Sequence, residues 1–212
     1  MKNLVLVILV TLTSFVYSQT SEEMSMISEI NKIRKDPKSY IPVVEEYIKT
    51  QEKTIEFMSK SNVKVSVKST EVKLDKNNDF IPTGKTSNGV SVYKERITTA
   101  KELIKELETM SPLDTLVFDS TMYVITKGHG EYLTSVNKIG HYDKNGDGCS
   151  VRFKGVGPVS ENVANSGSNP LLVLMIDYGV SNKGHRKNLL NPDIKYVSVF
   201  INEHCVVQNF RK

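Results

Sequence analysis

The strongest constraint on the fold is a pair of apolar runs near the C-terminus, Tyr196 to Asn202 and Cys205 to Phe210. Short runs rich in β-branched and aromatic residues predict strands, and His204 lies in the turn between them. Most of the preceding chain instead carries apolar residues at helical spacing. Helices that alternate with a modest number of strands predict an α+β domain with α-β-α layers.

Capping and breaking residues place the predicted helices. Thr20 and Glu23 form a capping box at the first of them, and Pro170 suits the first position of an apolar helix that continues to Ile176. The helices are predicted to begin near Thr20, Tyr40, Ala100, Asp119 or Ser120, and Pro170. The inner face of the fourth helix is predicted to consist of Ile125, His129, Tyr132 and Val136. We interpret His129 as a core histidine bonded to a nearby carbonyl, because buried polar groups are normally satisfied.

The stretch from about Ser59 to Val92 differs in character from the flanking helices. Val63, Val65 and Val67 alternate with polar residues, and Val72 and Leu74 repeat the pattern. This alternation predicts a hairpin with one buried face. We interpret the stretch as a polar excursion on the domain surface.

The N-terminal 18 residues have the pattern of a secretory signal peptide. Lys2 precedes an apolar run from Leu4 to Val16, and the small residues Val16 and Ser18 suit a signal peptidase. The run is too short to be a comfortable membrane span, although an uncleaved anchor is an alternative. The sequence therefore predicts export, to the outside of the cell or to a periplasm, with a mature domain from Gln19 to Lys212.

Charge and cysteine content narrow the possible functions. The net charge is +4 and the lysines are scattered, so there is no basic block of the kind that binds nucleic acid. No later segment approaches transmembrane length. Cys149 and Cys205 could form a disulfide in an oxidising compartment, or remain two free thiols.

Two histidines in turns, with a glutamate between them, are the candidate site residues. His141 follows the end of a helix and enters a Gly-rich turn, whereas His185 lies between a helix and a strand. Two imidazoles and the Glu161 carboxylate suit a divalent transition metal with an open position. They could equally perform acid–base work or hold a polar ligand. As structural alternatives, His185 caps a turn and Glu161 begins a helix.

The Gly-rich turn itself resembles the first half of a calcium loop, with Asp143, Asn145 and Asp147 at alternate positions. Such a loop needs a bidentate glutamate at the position where Lys154 stands, so the EF-hand interpretation fails. A loose calcium site formed by the three oxygen-bearing side chains remains an alternative. We favour a surface turn.

Three ordered motifs resemble those of the CAP superfamily, which comprises cysteine-rich secretory proteins, antigen 5, pathogenesis-related proteins and SCP-like extracellular domains. The motifs are Gly140-His141-Tyr142-Asp143, Ser160-Glu161-Asn162-Val163-Ala164, and Gly184 to Pro192. Ile30 to Tyr40 also resembles the opening helix of the family. The resemblance covers most of the mature chain, residues 19–212, except for residues 59–109, which look like an insertion. The many disulfides of the family are missing, which points to the bacterial or protist type, and the absence of Trp is a departure from the form of many members.

The resemblance implies a three-layer α-β-α sandwich with a small central sheet and a cleft that contains two histidines and one or two acids. Carried over by motif, these residues are His141, Glu161 and His185, with Asp177 as the second acid, and they imply a site for zinc or another divalent metal. The family also implies a secreted binding protein for a lipid, a sterol or a cell-envelope ligand rather than an enzyme. The alternative is a metal-dependent hydrolase that uses Glu161 as its general base, although no known nucleophile motif is present.

Overall fold

The computed structural model describes residues 19–61, 66–68, 72–74, 80–82, 86–180 and 182–212, so the predicted signal peptide lies outside the described residues. The helices are α1 (Ser21–Lys35), α2 (Ile41–Lys60), α3 (Gly89–Thr109), α4 (Ser120–Ser135), α5 (Cys149–Arg152), α6 (Pro170–Ile176) and α7 (Gly184–Leu189). A 3₁₀ turn, Pro37–Tyr40, joins α1 to α2. The strands are β1 (Ser66–Lys68), β2 (Val72–Leu74), β3 (Phe80–Pro82), β4 (Thr86–Asn88), β5 (Val117–Phe118), β6 (Val159–Asn165), β7 (Tyr196–Ile201) and β8 (Cys205–Arg211).

The main sheet has the strand order β5-β7-β8-β6, with β5 parallel to β7 and the other neighbours antiparallel. The two C-terminal strands confirm the prediction from the apolar runs. The short strand β5 and the edge strand β6 were not predicted. Strand β6 contains Glu161, so the interpretation of this residue as a helix N-terminal carboxylate is wrong.

Helices cover both faces of this sheet, which confirms the predicted α+β class. On one face Val197, Val199 and Phe210, all fully buried, join a core built from α1, α3 and α6. On the opposite face Phe200 and Val207 pack with Leu133 of α4. The alternation of side chains along each strand therefore divides the apolar interior into two layers.

The predicted inner face of α4 is wrong in part, because the helix is rotated relative to that prediction. Ile125 and Tyr132 are only half-buried, and Val136 is 39% exposed. The residues of α4 that are buried are Met122, Tyr123, Thr126, His129, Gly130 and Leu133. Gly130 explains the rotation, since a Cβ atom there would lie 2.0 Å from Cδ1 of Phe200. The helix backbone therefore packs directly on the Phe200 ring.

Replacing Gly130 should test this close approach. We expect Gly130→Ala to lower the free energy of unfolding by about 1–3 kcal/mol, because the new methyl group overpacks the contact with Phe200. Gly128→Ala is the matched control on the same helix, since nothing lies within 4 Å of its added Cβ. Alanine is the better helix former, so this control should stabilise by up to about 1 kcal/mol. Equal urea midpoints for the two variants would contradict the proposed packing.

Residues 89–109, the last part of the region that the family resemblance leaves out, form a helix that packs in the core. Ala100, Leu103 and Leu107 of α3 are fully buried in the main apolar cluster. Before this helix, β1 pairs with β4 and β2 pairs with β3, both antiparallel. Strand β1 contains Val67 and β2 contains Val72 and Leu74, but β2 is paired with β3 rather than with β1, and Val63 and Val65 lie outside the described residues. The side chains of residues 62–87, on which the predicted buried face depends, lie outside the described part of the structure.

Candidate functional site

The first half of the candidate site is built around the Glu161 carboxylate, whose side chain is 2% exposed. His141 donates from Nδ1 to Oε1 at 3.0 Å, and Asn209 donates from Nδ2 to Oε2 at 3.1 Å. Arg152 also donates from its guanidinium to Oε2. Both carboxylate oxygens therefore accept hydrogen bonds, and one of the donors, Arg152, is a buried cation.

The elements that bring these residues together are distant in sequence. Glu161 on β6 lies opposite Asn209 on β8, on the sheet face that α4 covers. Arg152, at the end of α5, also donates to the carbonyl oxygens of His141 at 2.6 Å and Asp147 at 2.8 Å. The Arg152 guanidinium therefore binds both the Gly-rich turn and the strand that carries Glu161.

This environment keeps Glu161 ionised. Burial raises the pKa of Glu161, but the hydrogen bond from His141 and the charge of Arg152 outweigh burial and leave the pKa below its ordinary value. Burial lowers the pKa of the neighbouring His129, whose side chain is fully buried. The Nε2–H group of His129 donates to the carbonyl oxygen of Gly140 at 3.1 Å, which confirms the predicted core histidine.

The second half of the site is the pair His185 and Asp177. His185 donates from Nδ1 to Oδ1 of Asp177 at 2.7 Å and from its backbone N–H to Oδ2 at 2.9 Å. Arg186 adds a backbone N–H donor to the same carboxylate, so Asp177 caps the start of α7. Asp177 and Lys183 have φ angles of 56° and 51°, a left-handed conformation that costs energy for residues other than glycine. This strained turn holds the imidazole of His185 against a carboxylate that is 2% exposed.

Two asparagines connect the two halves. Asn162, which follows Glu161 on β6, donates to the carbonyl oxygen of His185 at 3.2 Å. Asn188 of α7 donates to Oδ1 of Asn162 at 2.8 Å and to the carbonyl oxygen of Glu161 at 3.4 Å. The helix that carries His185 is therefore bound to the strand that carries Glu161.

The structure thus places the four predicted site residues in two imidazole–carboxylate pairs, which these amide bonds join. Sequence reasoning missed Arg152, Asn209, Asn162 and Asn188. Asn162 and Asn188 lie inside the quoted motifs and could have been found there. Arg152 and Asn209 gave no signal, because only the pairing of β6 with β8 and the position of α5 bring them to Glu161.

The described residues meet the requirements of a metal site only in part. Nowhere in ranges 19–61, 86–180 and 182–212 do three or more His, Cys, Asp or Glu side chains form a group that could hold an ion. The Glu161 oxygens already accept hydrogen bonds from Arg152, His141 and Asn209. This carboxylate is therefore better suited to orient His141 than to bind a metal ion. A carboxylate on one ring nitrogen is, however, the usual support of a metal-binding imidazole. Both His141 and His185 have support of this kind, since each directs Nδ1 to a carboxylate.

The neighbouring loop and thiols have structural roles. Oδ1 of Asp143 accepts the backbone N–H groups of Asn145 at 2.8 Å and Asp147 at 3.0 Å, which supports the interpretation of a surface turn. Cys149 and Cys205 are both free thiols. Burial, and secondarily the charge of Glu161, raises the pKa of Cys149 to about 12, so this thiol is not an activated nucleophile.

Comparison with known proteins gives matches among solved structures alone. No family model matches the chain, and no curated protein matches it by sequence. An extracellular protein of Bacillus anthracis that contains an SCP domain is 23% identical with a TM-score of 0.40, over 57% of this chain and 39% of that one. An outer surface protein of Borrelia burgdorferi is 18% identical with a TM-score of 0.41, over 56% of this chain and 94% of that one.

A cysteine-rich secretory protein of Staphylococcus aureus is 16% identical with a TM-score of 0.35, over 55% of this chain and 38% of that one. The chain thus spans less than half the length of the Bacillus and Staphylococcus proteins. In the part of the chain that the structure describes, no helix has the length and apolar character needed to cross a membrane. Over about half of its length the chain is similar to an SCP-domain protein and to a cysteine-rich secretory protein.

Proposed function

We propose that the chain is a secreted, non-enzymatic binding protein of the CAP type that holds its ligand with His141 and His185. The observation that carries the proposal is the shared geometry of these two side chains. They are 28% and 21% exposed, and each directs Nδ1 to a carboxylate that is almost fully buried. A ring fixed in this way presents Nε2 to a ligand in one orientation, which lowers the entropic cost of binding.

The same geometry argues against a hydrolase that uses Glu161 as its base. A general base works best with a pKa near the working pH and must reach the proton that it removes. The pKa of Glu161 is instead lowered, and Arg152, His141 and Asn209 occupy both oxygens. Glu161 therefore enters the proposal as the residue that orients His141.

The ligand classes follow from the two imidazoles. The first class is a divalent transition metal such as zinc, which would be held weakly because only two protein ligands are available. A lipid, a sterol or a cell-envelope molecule with a polar head is the other, bound by hydrogen bonds to the same rings. Extraction of the protein from its own culture medium, followed by mass spectrometry, would recover such a ligand.

Zinc titration tests the site itself. We expect isothermal titration calorimetry to show about one zinc ion per chain, as for other sites of this ligand type. His141→Ala and His185→Ala should each abolish the binding, because one imidazole alone holds zinc poorly. His204→Ala is the matched control, since its ring lies outside the site and contacts the carbonyl oxygen of Lys138. Binding that persists in both site variants, or that disappears in the control, would overturn the assignment.

A further inference from the structure

An open groove of about 600 Å³ lies between α4 and the segment from Asp143 to Arg152. Gly128, His129 and Tyr132 line it from the helix, and Arg152 lines it from the opposite side. The volume falls within the range of small-molecule sites. None of the four residues that define the proposed function lines this groove.

Two polar atoms at the groove are unsatisfied. Among the described residues, Nδ1 of His129 and Nε of Arg152 are buried and have no hydrogen-bond partner. The Nε2–H group of His129 donates to a carbonyl, and burial lowers the pKa of this residue, so its Nδ1 is an acceptor. The Nε–H group of Arg152 is a donor. Such atoms are rare in native proteins because each costs about 1–3 kcal/mol.

A hydroxyl group both donates and accepts, so one class of ligand can satisfy both atoms. The charges of the groove indicate that this ligand is neutral, because Arg152 is paired with Glu161, Glu131 lies beside Lys127, and Lys144 is offset by Asp143. Tyr132 adds an aromatic ring that stacks on His129, with ring centroids 6.4 Å apart. The electron-rich face of an aromatic ring attracts the weakly positive C–H groups of a sugar.

We propose that this groove binds a neutral sugar unit, with hydroxyl groups on His129 and Arg152 and the ring against Tyr132. The buried polar atoms supply specificity and the aromatic ring supplies contact area. Because both atoms are closed to solvent, binding includes a small shift of a lining side chain. The groove is lined by none of the four residues of the His141 and His185 pairs, but it shares Arg152 with the surroundings of Glu161, so the test substitutes Gly128 rather than Arg152.

Amide NMR tests the proposal with glucose, galactose, mannose and N-acetylglucosamine as probes, and glycerol as the non-sugar polyol. We expect at least one sugar to shift the signals of Gly128, Tyr132 and Lys144 saturably. Gly128→Trp should weaken this binding at least about tenfold, because its side chain grows into open space in the groove. Gly167→Trp is the control, since Gly167 is exposed elsewhere and also has nothing within 4 Å.

The outcomes are decisive in both directions. Saturable shifts that Gly128→Trp removes and Gly167→Trp preserves would establish the site. Absence of shifts with all four sugars, equal shifts with glycerol, or binding unchanged in Gly128→Trp would each overturn it. Zinc titration of Gly128→Trp should remain as in the wild type, so failure of the sugar site is distinguishable from failure of the proposed function.

Discussion

Replacing Arg34 with alanine should lower the free energy of unfolding by about 3–5 kcal/mol, a loss at the upper end for a single substitution. Arg34 is fully buried on α1 and has no carboxylate hydrogen-bonded to its guanidinium among the described residues. Its guanidinium donates instead to the carbonyl oxygens of Asp114, Leu189, Asn191 and Ile194, at 2.8 to 3.2 Å. The variant leaves these acceptors without their charged donor and creates a cavity.

Two further variants sharpen this test. Arg34→Lys keeps the charge, but a compact ammonium group cannot reproduce the planar fork, so most of the loss should remain. Lys35→Ala changes the exposed neighbour on the same helix and should alter stability by less than about 0.5 kcal/mol. The measurement is urea unfolding followed by circular dichroism. Wild-type stability of Arg34→Lys would mean that charge alone, rather than the four directed bonds, holds α1 to Asp114 and to residues 189–194.

The fold could be predicted where local chemistry and packing agree. Thr20 and Glu23 form the predicted capping box, with bonds of 2.8 and 3.2 Å. Pro170 begins α6, and the apolar runs form β7 and β8. Strand β6 was missed because Ser160, Glu161 and Asn162 are polar, and the partners of Glu161 and Asn162 become their neighbours only in the sheet.

For the candidate site as well, some features could be predicted from the sequence and others could not. The motif resemblance selected His141, Glu161, Asp177 and His185, and the structure joins them as His141–Glu161 and His185–Asp177. The sequence could not supply the cation beside Glu161, because a lone arginine carries no periodic or spacing signal. The sequence also could not predict the rotation of α4, because this rotation depends on the contact between Gly130 and Phe200. That rotation is what turns Tyr132 towards the groove.

Glu161→Gln should also lower the free energy of unfolding by about 3–5 kcal/mol at pH 7, because it leaves the buried guanidinium of Arg152 without its counter-charge. The direction of the pKa shift predicts how this loss depends on pH. Because the folded-state pKa of Glu161 is lowered, its stabilisation is present above the unfolded value of about 4.5 and is lost as the pH falls towards the folded value. The difference between wild type and variant should therefore be largest near neutral pH and shrink below about pH 4.5.

Urea unfolding of both proteins between pH 3 and pH 7, in steps of about half a unit, measures this difference directly. Asp119 also has a lowered pKa, because hydrogen bonds from Met122 and Arg211 outweigh its burial, but it titrates in both proteins and cancels in the difference. Glu46→Gln is the control, since the side chain of Glu46 is 66% exposed beside Lys49. The free energy of unfolding of this variant should not differ from that of the wild type in a pH-dependent way. A gap that stays constant or widens on acidification would mean that the Glu161 carboxylate is not the ionised anchor of His141 and Arg152.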